Sequence, residues 1–148
     1  MYGIQWDLVC KFLEVKGNWD TTTNTAQYYI KENSTSWGNY SNSGFEINST
    51  KARGYNNPWE DVSGTSKSAG TEILLTTGAS EQNKKMNIYD FAGNEWEWTL
   101  EKTTTPYSPC SFGGGYYTGY GNIVPASVRY SNGTTDSHYV IGLRVSLY

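Results

Sequence analysis

The chain has 148 residues, enough for one domain with a sizeable core; aromatics make up 16% of it, charged residues only 17%, and glycines number 16. That balance describes short strands and long loops around an aromatic core and argues against a helical bundle. A net charge of −3 without any run of Lys or Arg disfavours nucleic acid as a partner.

No stretch is apolar enough to cross a bilayer, so no membrane insertion is expected, and Met1 runs into a mixed amphipathic segment with no signal-peptide pattern. One histidine, His138, cannot build a Cys/His zinc site. The two cysteines, Cys10 and Cys110, are distant and read as free thiols.

Taken in order, Tyr2 to Glu14 is predicted as a helix, with Ile4, Leu8, Val9, Phe12 and Leu13 on one apolar stripe and Gly17 as its stop. Cys10 lies beside that stripe and reads as a semi-buried, inert thiol. From Asn18 to Ala69 the chain is rich in Thr, Asn and Ser with spaced aromatics, which predicts ordered loops pinned to a core; Ala26 to Lys31 adds a short helical turn. Ser34 to Phe45 is turn-prone, with corners at Gly38 and Gly44. Ile73 to Gly78 is a short apolar strand or buried turn.

The stretch Asn87 to Leu100, NIYDFAGNEWEWTL, organises the rest. Ile88, Tyr89 and Phe91 lead into a tight turn at Gly93-Asn94, and Glu95-Trp96-Glu97-Trp98 alternates as a strand, both Trp facing one way and both Glu the other. Two Trp on one face require a core. Asp90, Glu95 and Glu97 repel one another unless they are solvated, protonated or bridged by a cation, and all three readings stay open. No Ser/His/Asp or phosphate-loop pattern accompanies them. Glu101 to Pro109 is a Thr/Pro loop.

Beyond it, Phe112-Gly113-Gly114-Gly115-Tyr116 allows unusual backbone angles and close approach of neighbouring strands. Ile141 to Leu147 alternates as a terminal core strand. The residues between carry Tyr117, Tyr120, Tyr130 and Tyr139 among Asn, Ser, Asp and His, a mixture of rigid amphipathic rings and adaptable polar groups that resembles an antibody paratope.

Asp90-x-x-Gly93-Asn94-x-Trp96-Glu97-Trp98-Thr99, with Gly114-Gly115-Tyr116 and Ile141-Gly142-Leu143-Arg144-Val145, resembles the formylglycine-generating-enzyme (sulfatase-modifying-factor) family. The likeness spans Asn87 onward and departs from the family at Leu143, usually Phe, and at Phe112-Gly113, where an Arg is usual. It implies an α+β fold of the C-type-lectin-like, formylglycine-generating-enzyme subtype: a small twisted antiparallel sheet, a flanking helix and long ordered loops, in one domain over 1–148 or the C-terminal part of a longer chain. It also implies structural calcium held by the Asp90 and Glu97 side chains and the Gly93 and Glu95 carbonyls.

The family's copper-binding cysteine pair has no counterpart in Tyr116 to Arg129, so no copper and no oxidase chemistry are expected. What remains is similar to the non-enzymatic variable proteins of diversity-generating retroelements, in which adenine-directed mutagenesis rewrites a C-terminal repeat inside a fixed frame. That likeness makes Gly114-Gly115-Tyr116, Pro125-Ala126-Ser127, Arg129, Thr134-Thr135 and Ile141 to Arg144 the frame. The ligand-binding positions would be Tyr117, Thr118, Tyr120, Asn122, Ile123, Val124, Val128, Tyr130, Ser131, Asn132, Asp136, His138, Tyr139 and Val140. The implied partner is a protein or glycan receptor on a host or neighbouring cell, and the implied place a phage particle or bacterial surface. The rival expectations are a formylglycine-type oxidase using Cys110 and a calcium-dependent carbohydrate-binding lectin.

Overall fold

The computed structural model describes residues 1–55 and 58–144. Helix α1 (Gly3–Lys16) begins where the Gln5 Oε1 accepts the Tyr2 N–H (2.8 Å) and ends at Gly17, whose N–H donates to the Leu13 carbonyl (2.8 Å). The buried face is not the predicted stripe. Gly3, Trp6, Cys10 and Leu13 face inward, whereas Ile4, Leu8 and Phe12 are 71%, 63% and 42% exposed. Trp6 decides the rotation because it carries the largest apolar surface in the helix. It stacks on Phe91 with ring centroids 4.2 Å apart, and its Nε1–H donates to the Ala126 carbonyl (3.1 Å). The second helix, α2 (Ala26–Lys31), is capped by Thr25, whose side chain accepts the Tyr28 N–H (3.2 Å), and a 3₁₀ turn follows at Thr35–Trp37.

Among the described residues ten short strands complete the α+β fold: β1 (Phe45–Glu46), β2 (Arg53–Tyr55), β3 (Trp59–Asp61), β4 (Ser66–Lys67), β5 (Lys84–Lys85), β6 (Ile88–Tyr89), β7 (Trp96–Lys102), β8 (Cys110–Gly113), β9 (Arg129–Asn132) and β10 (Ile141–Gly142). Three two-stranded antiparallel sheets, β1–β4, β2–β3 and β5–β6, accompany a four-stranded one of order β10-β7-β8-β9. Within it β7, β8 and β9 are antiparallel, but β10 pairs with β7 in parallel, Ile141 beside Trp96. The expectation of a purely antiparallel sheet is corrected there: the polar loop after β9 brings the chain back along β7 in the same direction. Of the predicted strand from Ile141 to Leu147, only Ile141–Gly142 is strand; Leu143 and Arg144 are not, and 145–148 lie outside the described residues. Ile73 to Gly78 is joined to β2 by a bridge from Leu75 to Gly54 and ends in a turn at Thr77-Gly78; of its residues Leu74 and Leu75 are buried and Thr77 is exposed.

Strand register sorts the side chains of the main sheet. Trp98, Phe112 and Tyr130 are cross-strand neighbours, and Phe112 touches both Trp96 and Trp98 at 5.2 and 5.3 Å, so both Trp share a face as predicted. Arg129 lies on the opposite face, which α1 covers: Arg129 Nη2–H donates to the Gly3 carbonyl and to Asp7, each at 2.9 Å. The main core gathers Trp6, Leu13, Ile30, Trp37, Tyr40, Phe91, Trp96 and Phe112, and a smaller one lies under the loops at Phe45, Ile47, Ala52, Leu75 and Ala79. Both thiols are free, and burial pushes the Cys10 thiol up to about 12, leaving it inert. Replacing Trp6 by Ala removes a ring only 1% exposed and is expected to cost about 3–5 kcal/mol in urea denaturation.

Candidate functional site

Gly93 (φ +72°) and Asn94 (φ +66°) both adopt left-handed backbone at the head of β7. A Cβ on Gly93 would lie 2.3 Å from the Asn39 carbonyl oxygen, so only glycine fits. Asn94 turns the buried corner into a junction. Its Oδ1 accepts from the Leu75 N–H (3.1 Å) and Asn39 Nδ2 (2.9 Å), its Nδ2 donates to the Leu75 carbonyl (2.9 Å), and its own carbonyl accepts the Tyr117 N–H (3.0 Å).

The loop from Tyr117 to Val128 is fixed from beneath. Ser34 N–H donates to the Gly121 carbonyl (2.9 Å), Ser34 Oγ accepts the Ala126 N–H (2.9 Å), and Asn42 Oδ1 accepts the Gly121 N–H (3.0 Å). Asn42 Nδ2 also donates to the Asn122 Oδ1 (3.2 Å), and Ser41 N–H donates to the Gly119 carbonyl (2.8 Å). At Gly115 (φ +78°) a Cβ would meet the Val124 carbonyl at 2.4 Å and the Tyr40 ring at 2.7 Å, which closes the loop's entry against the core.

Of the predicted ligand-binding positions, Tyr120, Asn122, Ile123, Tyr130, Asp136, His138 and Tyr139 are exposed, and Tyr117, Thr118, Val128, Ser131 and Asn132 are half-buried. Val124 and Val140 are only 7% and 4% exposed and belong to the main core, so as contact residues they are corrected to packing residues. Val124 leads into the buried Pro125 and Ala126 and Val140 into β10, and burial of the apolar side chain wins over display. Ser131 pairs with Ser111 and alternates to the face opposite Tyr130, so it does not join the Tyr130 surface. Asp136 is engaged within its own loop, its Oδ2 accepting the Gly133 N–H (2.9 Å).

What the structure does bring together is a ring cluster centred on Trp96. Tyr116 stacks on it at 5.4 Å and 26°, and Tyr130 meets it edge-on at 5.3 Å. The backbone carbonyl of Val140 accepts the Trp96 N–H (2.9 Å), which draws in the segment carrying the stacked pair His138–Tyr139, whose centroids are 4.7 Å apart. Tyr139 in turn lies close enough to Tyr117 to raise its phenol, an effect second to burial. Tyr116 and Trp98, placed in the frame and the core by the sequence, are half-buried rings that pack on Trp96 and Phe112, the two rings Tyr130 also meets, and extend this surface. The signal for Trp98 was its cross-strand register, which needs the partner strands to be known.

Behind the rings lies a cavity of about 230 Å³ lined by Thr77, Asp90, Asn94, Glu95, Glu97, Gly142, Leu143 and Arg144. It gathers the side chains and one backbone neighbour of the expected calcium set, but the donors do not fit the ion as they stand. Both Glu97 oxygens are held by Arg144: its Nε donates to Oε2 at 2.7 Å and to Oε1 at 2.9 Å, and its Nη2 donates to Oε1 at 2.5 Å. The same Nη2 donates to the Asp90 carbonyl (3.1 Å). The Asp90 carboxylate instead accepts the Gly78 N–H (2.8 Å), and the Glu95 side chain lies over Gly142. A guanidinium therefore occupies the cationic role in this structure. Among the described residues no group of three or more His, Cys, Asp or Glu is arranged to hold a metal.

Burial raises the carboxyls of this cavity. Glu97 is pushed up despite Arg144, Glu95 is pushed up by burial and then by Glu97, and Asp90 reaches about 6 against the pull of the Gly78 N–H and Arg144.

No family model, curated protein or solved structure matches this chain.

Removing one partner of the buried pair leaves the other uncompensated, so Arg144→Met is expected to cost about 3 kcal/mol, and adding Glu97→Gln to it should recover much of that loss in a double-mutant cycle. Asp90 supplies a pH test. Its folded pKa of about 6 lies above the ordinary 3.8, so between those values the folded chain keeps a proton that the unfolded chain has released. Stability contributed at this site is highest below that window, falls as pH rises through it, and is fully lost above it. Relative to Asp90→Asn, the wild type should lose about 3 kcal/mol across the window in urea titrations.

Proposed function

We propose that this chain is a non-catalytic recognition protein: a C-type-lectin-like domain of the formylglycine-generating-enzyme subtype, acting as the variable protein of a diversity-generating retroelement. The observation that carries the reading is the division between locked and displayed positions in the last third of the chain. Gly114, Gly115, Ala126 and Arg129, expected to be constant, are fixed by close backbone approach, by hydrogen bonds across the core, or by the Arg129 contacts to Glu101 (2.7 Å), Asp7 and Gly3. Tyr120, Ile123, Tyr130, His138 and Tyr139, expected to vary, leave large side chains in solvent.

Recognition of a protein or glycan receptor then proceeds by docking a preorganised ring surface. The loop is held by Ser34, Asn42 and the Asn94 junction before any partner arrives, so little ordering entropy is lost on binding. Tyr is suited to this because a ring and a hydroxyl are offered with only two side-chain torsions to freeze. The reading draws on no bound cation, since Arg144 already compensates Glu97.

Sequencing the gene across a population tests it. Substitutions should concentrate at the codons for Tyr117, Thr118, Tyr120, Asn122, Ile123, Tyr130, His138 and Tyr139 and spare Gly114, Gly115, Ala126 and Arg129; an even spread over both sets ends the proposal. In the purified chain, the double change Tyr120→Ala and Tyr139→Ala should leave Tm nearly unchanged. Tyr130→Ala should cost about 1–2 kcal/mol, because its ring also packs on Trp96 and Phe112.

A further inference from the structure

Helix α1 is apolar on two opposite faces. One holds Trp6, Cys10 and Leu13 in the core; the other presents Ile4, Leu8, Phe12 and Val15 to solvent at 71%, 63%, 42% and 63% exposure. At 100° per residue these four fall within a narrow stripe opposite Trp6, running the length of the helix. Scaled to ordinary side-chain areas, they expose roughly 500 Å², near the top of the range of about 300–600 Å² for the largest apolar patch of a monomer. With the aliphatic stems of the flanking Lys11 and Lys16, the stripe approaches the ~800 Å² a side that a stable interface buries.

We propose that this face of α1 is the interface of a homodimer in which two copies pair their α1 helices antiparallel about a twofold axis. Three observations select a second copy. The stripe is a straight ridge of residues spaced four apart, from Ile4 to Leu8 to Phe12, and identical ridges of this kind interdigitate with one another. One flank reads Asp7, Lys11, Glu14, and an antiparallel twofold brings this same flank of each copy together, which sets Lys11, paired with its own Glu14 at 2.8 Å, beside Asp7 of the other copy. And α1 covers the sheet face bearing Arg129, opposite the face bearing Tyr130, so pairing leaves both ring surfaces uncovered. The first two observations stand on the helix alone and do not depend on the function proposed above.

Sedimentation velocity of the whole chain over the micromolar range is the test, with Leu8→Glu and, one turn away, Ile4→Glu as variants. Both side chains are exposed in the monomer, so far-UV circular dichroism should match the wild type and show that each variant folds. The expected result is a reversible wild-type dimer whose association each variant weakens by about a hundredfold or more, while Lys51→Glu, at an exposed site elsewhere, leaves it unchanged. A wild type that stays monomeric throughout overturns the proposal, as does a dimer that either folded variant leaves intact.

Discussion

The side chain of Asn94 is the constraint on which this structure depends. It is buried, held at positive φ, and answers backbone groups of Leu75 and the side chain of Asn39 while its main chain is bonded to Asn39 and Tyr117. Four segments distant in sequence, its own among them, meet at this one residue. In a chain whose strands mostly run two to four residues, few ladder hydrogen bonds are available to hold loops in place, and a buried side chain that mimics a strand edge supplies them. An apolar residue of similar size would leave the Leu75 N–H and carbonyl unpaired in the core, which is costlier than the loss of the bonds themselves. The close approach at Gly93 follows from the same corner: the Asn39 carbonyl can reach the Asn94 N–H only where no Cβ intervenes.

From that corner β7 runs into the sheet, and its two faces serve different ends. One carries Trp96 and Trp98 and, through them, the rings of Tyr116 and Tyr130; the other carries Glu97, whose charge is met by Arg144. The polar pair does not add much to stability, because desolvating two ions consumes most of their attraction. Its role is positional: Arg144 spans Glu97 and the Asp90 carbonyl, and so fixes the residues that follow β10 against the turn that precedes β7.

The sequence was legible where local chemistry decided the outcome. The alternation of Trp96 and Trp98, the Gly93-Asn94 corner, the Gly17 stop and the six-residue helix at Ala26 are set by periodicity, by left-handed backbone, by a close approach of Leu13 and Trp19 that leaves no room for a Cβ, and by the Thr25 cap. It misled where two local answers competed. On α1 both Ile4-Leu8-Phe12 and Trp6-Cys10-Leu13 are plausible helical stripes, and only the presence of Phe91 and the Ala126 carbonyl across the core selects the second. The parallel direction of β10 and the Arg144–Glu97 pair depend on a return path no local pattern records. Val124 and Val140 fall among the displayed positions on the resemblance alone, yet each turns its aliphatic side chain inward.

The wide separation of the partners has a kinetic consequence. Trp6 finds Ala126 across 120 positions, and β10 joins β7 only after a long excursion through β8 and β9. Closing such loops costs chain entropy before any contact rewards it, and little regular local structure exists to lower the barrier. Assembly should therefore be slow and late in sequence, with the aromatic clusters standing open until the return strand arrives, a period in which the nascent chain is vulnerable to association through the very rings it later displays.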